Sequence, residues 1–301
     1  MKDLYIIGNG FDLHHDIPSR YLDYRNWLEQ NKPSILYTID ELFNSVDDRW
    51  WSHFETNLTT VDMLQIAYQS AFENQPDFAS DDFRDADWYT AEHDVRLKLE
   101  AAFQEITKSF KEWILSLPEG NVSKKIRIKK KDSLFVTFNY TETLESLYTI
   151  PAEQILYIHG KANSEEQLIL GHGMSYKDLA TIFEKRERIE SGDYVLQRAK
   201  DSAVYSVYNY RKPVEDIINN NTEWFDRLYD RTHIHIYGHS LSSIDLPYFR
   251  KIFKCVDRNR ISIEFNDYKG ENQNAIESFM SSEGYGKDQY QIVDLSQLIE
   301  K

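Results

Sequence analysis

The sequence predicts an α/β protein with a mainly parallel, twisted β-sheet and a large helical insertion. Five apolar runs have the short length of buried strands, at residues 4–7, 134–137, 155–159, 233–237 and 261–265. Four of them are followed within a few residues by Gly or Asn and polar side chains, as where parallel strands end at a ligand-binding edge. After the first run, apolar residues recur at three- and four-residue spacing, which is typical of amphipathic helices.

The first strand, residues 4–7, leads directly into the turn Gly8-Asn9-Gly10. Glycine has no side chain, so the backbone N–H groups of such a turn can approach a phosphate closely. We therefore predict a phosphate-binding loop after this strand. The third glycine of the dinucleotide fingerprint is absent, because position 13 is Leu. A tight turn required only for packing is the alternative interpretation.

The helical insertion is expected at residues 32–131, between the first two strands. Its clearest helix carries apolar residues at positions 95, 97, 99, 103, 106, 110 and 114. An earlier helix, placed near Ser19 as N-cap, includes Leu22, Trp27 and Leu28. A second helical segment is predicted at 177–229, and two further candidate strands at 168–170 and 291–293. The 301 residues are thus assigned to one α/β nucleotide-binding domain, 1–301, that carries these helical segments.

Composition excludes several classes of protein. The net charge of −15 argues against broad, charge-driven binding of nucleic acid. Residues 124–132 nevertheless form one basic stretch. We interpret this stretch as a solvated loop or an edge strand, and a docking patch is the alternative. The single cysteine, Cys255, excludes an intramolecular disulfide and a thiolate-rich zinc site. No segment approaches the ~20 apolar residues of a membrane span, and no apolar leader precedes the first strand. We expect a cytoplasmic protein.

Polar side chains follow three of the later strands. Asn139 comes just after the second strand, His159 ends the third beside Gly160, and Gly238-His239-Ser240 follows the fourth. Because parallel strands end at one edge of a sheet, an amide and an imidazole are expected to face one crevice.

The order of these motifs resembles the sirtuin-like NAD-binding fold, which is itself Rossmann-like. The matching residues are Gly8-Asn9-Gly10 with Ile17-Pro18, then Thr137-Phe138-Asn139, His159-Gly160 and Gly238-His239-Ser240. Within that superfamily the chain is most similar to the bacteriophage abortive infection AbiH family. The passages that carry this likeness are IIGNGFDLHHDIPSRYLDY, FVTFNYTETLESLY, LYIHGKA, LGHGM and IYGHSLSSIDLPYF.

The resemblance implies that Asn139 and His159 are catalytic residues that orient water or substrate at the nicotinamide ribose. It also implies that NAD, as substrate or ligand, contacts a larger set of residues: Gly8, Asn9, Gly10, Phe11, Asp12, Thr137, Thr141, Gly160, Gly238, His239 and Ser240. The chain departs from the pattern at Thr141, where sirtuins carry Asp. This departure affects the expected recognition of the ribose.

The residue types suit hydrolysis of NAD or a related nucleotide in anti-phage defence. Cleavage of the glycosidic bond passes through a cationic ribosyl state, so it needs a water held by an amide and a histidine acting as general base. Asp12 or Asp16 would stabilise the positive charge. No metal is expected, since the nine histidines show no recognised ligand spacing. The aromatic residues Trp50, Trp51 and Phe54, with Glu55, are interpreted as core packing or, alternatively, a wall for base stacking.

Two other functions remain open from the sequence. One is a non-catalytic nucleotide sensor, and the other is a metal-dependent nuclease using Asp, Glu and His residues. The expected partner is a small-molecule nucleotide, with a homo-oligomer or a phage-derived activator as further partners, and neither a membrane nor nucleic acid is expected.

Overall fold

Six parallel strands form one sheet in the computed structural model, which describes residues 2–43, 46–77, 79–186, 193–267, 270 and 272–300. The strand order is β3-β2-β1-β4-β5-β6, the order of a doubly wound Rossmann-like sheet. The strands are β1 (Asp3–Ile7), β2 (Leu134–Thr137), β3 (Ile155–Tyr157), β4 (His233–Tyr237), β5 (Ser262–Asn266) and β6 (Tyr290–Val293). All five pairings are parallel. The predicted α/β class is confirmed.

The sheet agrees closely with the apolar runs in the sequence. β2 and β4 have the predicted bounds, β1 and β5 differ by one residue, and the candidate at 291–293 forms β6. β3 ends at Tyr157, so His159 lies two residues beyond the strand. The candidate strand at 168–170 is wrong, because these residues form no strand although the backbone N–H of Ile169 donates to the carbonyl of His159.

The chain forms two compact units. The first comprises residues 1–23, 111–169 and 213–301 and contains the sheet. Every residue of β1 and β2 is buried, as expected for strands covered on both faces. One face packs against a core that includes Leu4, Ile6 and Phe249, and the other against a core that includes Tyr5 and Tyr148.

The helices of this first unit connect the parallel strands, since a parallel pairing requires a crossover. They are α1 (Asn9–His14), α8 (Thr143–Ser146), α11 (Val214–Asn220), α12 (Thr222–Asp226), α13 (Leu246–Cys255) and α14 (Gln273–Ser282). The prediction that Ser19 caps the next helix is wrong, because that helix begins at Tyr21 and the Ser19 hydroxyl donates to Asn9 Oδ1 at 2.6 Å.

The second unit comprises residues 24–110 and 170–212 and is helical. Its helices, two of which extend past these bounds, are α2 (Tyr21–Asn31), α3 (Pro33–Leu42), α4 (Asp48–Ser52), α5 (Phe54–Asn57), α6 (Met63–Glu73), α7 (Thr90–Ser116), α9 (Tyr176–Arg186) and α10 (Tyr194–Asn209). α7 is the predicted long helix, and its predicted apolar positions are buried except Leu97, which is half exposed. Trp51 and Phe54 stack in the core at 5.3 Å, as the packing interpretation predicts.

The units have bounds that differ from those in the prediction. The insertion predicted at 32–131 and the segment predicted at 177–229 are both largely helical. The second compact unit, however, comprises residues 24–110 and 170–212. Residues 44, 45, 78 and 187–192 of those two predicted segments lie outside the described residues. No helix among the described residues is long and apolar enough to cross a membrane.

Candidate active site

The candidate site lies at the carboxyl ends of β1, β2, β3 and β4. Ile7 pairs in register with Thr137 on one side and Tyr237 on the other, so the residues that follow these three strands emerge side by side. The strand order reverses between β1 and β4. In open parallel sheets this reversal point is where ligands bind.

The β1 turn packs directly on the β4 turn, which explains its glycines. A Cβ at Gly8 would lie 2.7 Å from both the carbonyl oxygen of Gly238 and the Cα of His239. A Cβ at Gly10 would lie 2.8 Å from the Cα of Gly238, which itself has a φ of +69°. Real side chains do not approach backbone this closely. Close contact between two turns therefore requires glycine at 8, 10 and 238.

The backbone N–H groups of Gly8, Gly10 and Phe11 already have partners. Gly8 donates to the carbonyl of Tyr237 at 3.0 Å, Gly10 to that of Gly238 at 2.8 Å, and Phe11 to that of Gly8 at 2.9 Å. A phosphate would have to displace these bonds. The packing interpretation of the Gly-x-Gly pattern accounts for this turn, and its contact with a phosphate stays a prediction.

Two more residues of the predicted loop have structural partners. Asn9 is exposed, and its side chain is tied to Ser19 through two hydrogen bonds, one from its own Nδ2 to the Ser19 carbonyl at 3.0 Å. Phe11 is fully buried and packs against His15 and Tyr148. Of the two, only Asn9 is at the surface.

Asp12 is the centre of a buried hydrogen-bonded group that we call the Asp12 cluster: Asp12, Asn139, Thr141 and Thr143. The hydroxyls of Thr141 and Thr143 donate to the two carboxylate oxygens at 2.6 and 2.7 Å. Burial raises the pKa of Asp12 to about 6, against the opposing effect of these donors and of Asn139. A carboxyl group that titrates near neutral pH is suited to proton transfer.

The surroundings of Thr141 account for a threonine at this position, where the sirtuin pattern has aspartate. A carboxylate at this position would face the carboxylate of Asp12, where the hydroxyl now donates at 2.6 Å. Two carboxylates so close cannot both ionise without a large electrostatic cost. The hydroxyl provides a donor instead.

Asn139 lies with the Asp12 cluster. Its Nδ2 donates to the carbonyl of Gly8 at 3.1 Å, and its backbone N–H donates to the hydroxyl of Thr137 at 3.1 Å. These bonds join β2 to the β1 turn and fix the orientation of the amide. Its Oδ1 is the atom suited to accept a hydrogen bond from water.

His159 belongs to a second group, the His159 cluster, which consists of His159, His239 and Asp245. The Nε2 of His159 lies 3.7 Å from one carboxylate oxygen of Asp245, and the Nε2 of His239 lies 3.4 Å from the other. The ring of Phe138 packs against both imidazoles, with centroids at 5.6 and 4.4 Å. Tyr140 stacks on His159 at 5.9 Å. A carboxylate thus lies near two imidazoles that follow different strands, at distances longer than an ordinary hydrogen bond.

The two predicted catalytic residues therefore have different partners. Phe138 and Asn139 are successive residues with side chains in different contacts: Phe138 with the His159 cluster, and Asn139 with Asp12 and the glycine turn. Asp12, Asn139 and His159 are 1%, 7% and 2% exposed. A ligand would reach all three only if the surrounding turns moved.

The remaining predicted ligand residues lie around these clusters. Gly160 has a φ of +82°, which only glycine adopts readily, and follows His159 in the β3 turn. Ser240 is exposed next to the buried His239. Two surface cavities, of about 450 and 360 Å³, lie elsewhere, the first at residues 219–224 and the second among residues of α3 and α7. Among the described residues, no group of three or more His, Cys, Asp or Glu is arranged to hold a metal ion.

Sequence reasoning missed Asp245 and Thr143. Asp245 precedes the Leu-Pro pair that opens α13, a pattern that predicts a helix cap rather than a partner for histidine. Thr143 is the first residue of α8, a position that predicts the start of a helix rather than a donor to a distant carboxylate, although it lies only two residues after Thr141. That spacing was the available signal for Thr143.

Comparison with known proteins decides the family. A family model described as Bacteriophage abortive infection AbiH matches residues 4–267 of the 301. The chain belongs to the AbiH family. The protein therefore has a role in abortive infection against bacteriophage. No curated protein matches the chain. The AbiH match includes both clusters and all six residues of the glycine turns, whereas α14 and β6 follow it.

Proposed function

We propose that this AbiH protein hydrolyses the N-glycosidic bond of NAD or a related nucleotide, with His159 as the proton-accepting residue. The observation that carries the proposal is the buried His159 imidazole, 3.7 Å from the Asp245 carboxylate, at the carboxyl edge of a parallel sheet. An imidazole oriented by a carboxylate is a recurrent arrangement for general base catalysis near neutral pH. The resulting loss of the cofactor would stop growth of an infected cell.

The reaction balances with the groups that the site contains. The oxygen of a water molecule attacks C1′ of the nicotinamide ribose while the C1′–N bond breaks and the bonding electrons leave with neutral nicotinamide. His159 accepts one proton of the water, and the other hydrogen stays on the oxygen and donates a hydrogen bond to the Oδ1 of Asn139. The carboxylates of Asp12 and Asp245 lie at the same sheet edge and favour the positive charge that develops on the ribose.

The closed state of the site is consistent with an enzyme that is silent until infection. Asp12, Asn139 and His159 are buried, and the backbone N–H groups of Gly8, Gly10 and Phe11 are bonded within the protein. An effector that consumes NAD must be inactive in a healthy cell. We therefore expect turnover to require an activator that separates the β1 and β4 turns.

The same observations favour a second candidate, a nucleotide sensor without catalysis. Thr141 and Thr143 both donate to Asp12 and do not present their hydroxyls to a ribose. In a sensor, nucleotide binding would open the turns and transmit the change to another protein. The metal-dependent nuclease predicted from the sequence stays an untested alternative.

The test is nicotinamide release from NAD by the purified protein, alone and with lysate of phage-infected cells. We expect release on activation, and a loss of at least about 100-fold in His159→Gln, since general base catalysis contributes 10²–10⁴-fold. His53→Gln is the matched control, because His53 is exposed on the second unit and should leave the rate unchanged.

Three results separate the candidates. Release that persists in His159→Gln would contradict the assigned base. Saturable NAD binding by calorimetry with no release under activating conditions would support the sensor. Neither binding nor release, in a protein that still protects cells against phage, would exclude both proposals.

A further inference from the structure

We propose that Tyr157 is a ligand-binding residue of the site: its hydroxyl donates a hydrogen bond to the ribosyl-pyridinium end of the nucleotide, and the carboxylates around it select for positive charge. This inference rests on the proposed function for the identity of the nucleotide, because it states which part of NAD lies here. It does not require that the nucleotide is cleaved, so ligand binding tests it separately.

Tyr157 is the last residue of β3 and lies on the face of the sheet that α1 covers. It pairs in register with Thr137, which pairs with Ile7 of β1. Register partners in a sheet point to the same face. Ile7 and Phe11 belong to the core on that face, and Tyr157 packs against this core. Tyr157 is therefore on the same side of the sheet as α1, which carries Asp12.

The hydroxyl of Tyr157 is buried and has no hydrogen-bond partner among the described residues. The side chain as a whole is half-buried, and the Nζ of Lys161 lies 5.7 Å from the centroid of its ring. A buried hydroxyl without a partner destabilises the folded protein, and native proteins retain few such groups. A ligand oxygen that accepts from this hydroxyl would supply the missing bond.

The charges around the Tyr157 hydroxyl are mainly negative. Burial has the largest effect in raising its pKa, and the carboxylates of Glu145, Glu142 and Asp12 raise it further. The hydroxyl therefore keeps its proton and is a donor. The ammonium of Lys161 partly balances these carboxylates, with its Nζ 3.0 Å from Glu142 and 3.1 Å from Glu145. One ammonium against three carboxylates leaves an excess of negative charge.

This excess of negative charge distinguishes the two ends of NAD. The pyridinium ring of nicotinamide is positively charged, and the ribose bonded to it carries oxygens that can accept a hydrogen bond. The diphosphate is negatively charged and would be repelled. A hydroxyl donor among carboxylates therefore suits the ribosyl-pyridinium end. The same charges favour the cationic ribosyl state of the proposed reaction.

The first experiment is isothermal titration calorimetry with nicotinamide riboside, which is a cation, and with its reduced form, which is neutral. We expect the wild type to bind the cation at least about tenfold more tightly. Tyr157→Phe should weaken binding of the cation by about tenfold, because it removes one hydrogen bond, and should leave the binding of ADP unchanged. Glu145→Gln should reduce the preference for the cation. No binding of nicotinamide riboside by the wild type, or equal affinities in Tyr157→Phe and the wild type, would overturn the proposal.

The stability of the ligand-free protein is the second measurement. Tyr157→Phe removes an unsatisfied hydroxyl and keeps the ring, so the midpoint of urea unfolding should stay the same or rise. Tyr148→Phe is the matched control, because the Tyr148 hydroxyl accepts from the backbone N–H of Ile126 at 2.9 Å and is hydrogen-bonded to His15 Nε2 at 2.7 Å. Its midpoint should fall. A fall of similar size in Tyr157→Phe would show that the hydroxyl is bonded within the ligand-free protein and would contradict the inference.

This inference and the proposed function fail separately. If Tyr157→Phe weakens the binding of nicotinamide riboside but no condition releases nicotinamide, the proposed hydrolysis is wrong and the ligand assignment stands. If Tyr157→Phe releases nicotinamide with the KM of the wild type, the hydrolysis stands and the assignment of Tyr157 is wrong. Tyr229→Phe should leave both binding and stability unchanged, because Tyr229 is 72% exposed.

Discussion

The Asp12 cluster and the His159 cluster lie at the same edge of the sheet but are built in opposite ways. In the first, the hydrogen bonds to Asp12 and from Asn139 have ordinary lengths, between 2.6 and 3.1 Å. In the second, the carboxylate of Asp245 is 3.4 and 3.7 Å from its imidazoles, with aromatic rings as walls. The first cluster makes the connections that stabilise a fold, whereas the second places a carboxylate near two imidazoles at distances longer than an ordinary hydrogen bond.

This difference indicates where substitutions should affect stability and where they should affect chemistry. Removing a partner from a buried, fully bonded group leaves an unsatisfied polar atom and destabilises the protein. Removing Asp245 removes no capping bond of α13, and it removes the carboxylate beside His159. We therefore expect stability losses around Asp12 and the glycine turns, and rate losses in the His159 cluster.

Gly238→Ala is expected to give the largest effect on stability. The added Cβ would overlap the backbone nitrogen of Phe11, and the φ of +69° disfavours any side chain. Because both obstacles are backbone, neither can be relieved by a rotamer change, and we expect a loss of more than about 4 kcal/mol. Urea unfolding measures it.

Gly284→Ala is the matched control for this substitution. Its φ is +78°, but the added Cβ would meet the guanidinium of Arg258, the end of a flexible side chain. We expect a loss of about 1 kcal/mol from the backbone conformation alone. Equal losses in the two variants would show that the contact between the β1 and β4 turns is not tight in solution.

The sheet could be predicted from the sequence because each strand is a local signal. Residues 134–137 and 233–237 are apolar runs whose bounds the structure reproduces without change. The glycine turn was ambiguous, since Gly-x-Gly suits both close packing of backbone and an approaching phosphate. Only the position of Gly238, more than two hundred residues later, shows the packing role.

The partners of the site residues could not be predicted in the same way. His159 and Asp245 meet only because β3 and the start of α13 converge, and no local pattern records that convergence. Asp12 was chosen as a loop residue near a ligand, but its burial and its bond to Thr143 depend on β2. Residue types at strand ends are therefore predictable, whereas their pairing depends on tertiary structure.

Acid titration of stability tests the Asp12 cluster more finely. The pKa of Asp12 is raised from 3.8 to about 6 by burial, so the folded state binds the proton more tightly than the unfolded chain. Stability from this group is full below pH ~4 and decreases as the pH rises through about 6, by roughly 2 kcal/mol between pH 4 and 7. Asp12→Asn should remove this decrease.

The measurement is the difference between the urea unfolding curves of wild type and Asp12→Asn at several pH values. Asp16→Asn is the control, because Asp16 is exposed and its bond with Lys124 lowers its pKa. A lowered pKa removes the contribution of Asp16 only as the pH falls below the ordinary value of 3.8, so the control difference should stay nearly constant between pH 4 and 7. If the difference in unfolding free energy between the wild type and Asp12→Asn does not vary between pH 4 and 7, the raised pKa of Asp12 is contradicted.

The smallest expected effects come from the two threonines, and they test how the hydrogen bonds of the Asp12 cluster are shared. Thr143→Val and Thr141→Val each remove one donor to Asp12 with little change of shape. Thr143 is buried, and we expect its substitution to lower the free energy of unfolding by about 1.5 kcal/mol. Thr141 is half buried, and we expect a loss of only about 1 kcal/mol, because water can replace its hydroxyl more readily.

Both substitutions should also raise the pKa of Asp12 further, since the hydroxyls stabilise its charged form. The loss of stability should therefore be smaller at pH 4, where Asp12 is protonated, than at pH 7. Urea unfolding at the two pH values measures both effects. If Thr141→Val proved costlier than Thr143→Val, the buried bond would not be the stronger of the two. Thr141 would then be the main hydrogen-bond partner of Asp12, and its hydroxyl would have the larger effect on whether Asp12 is charged.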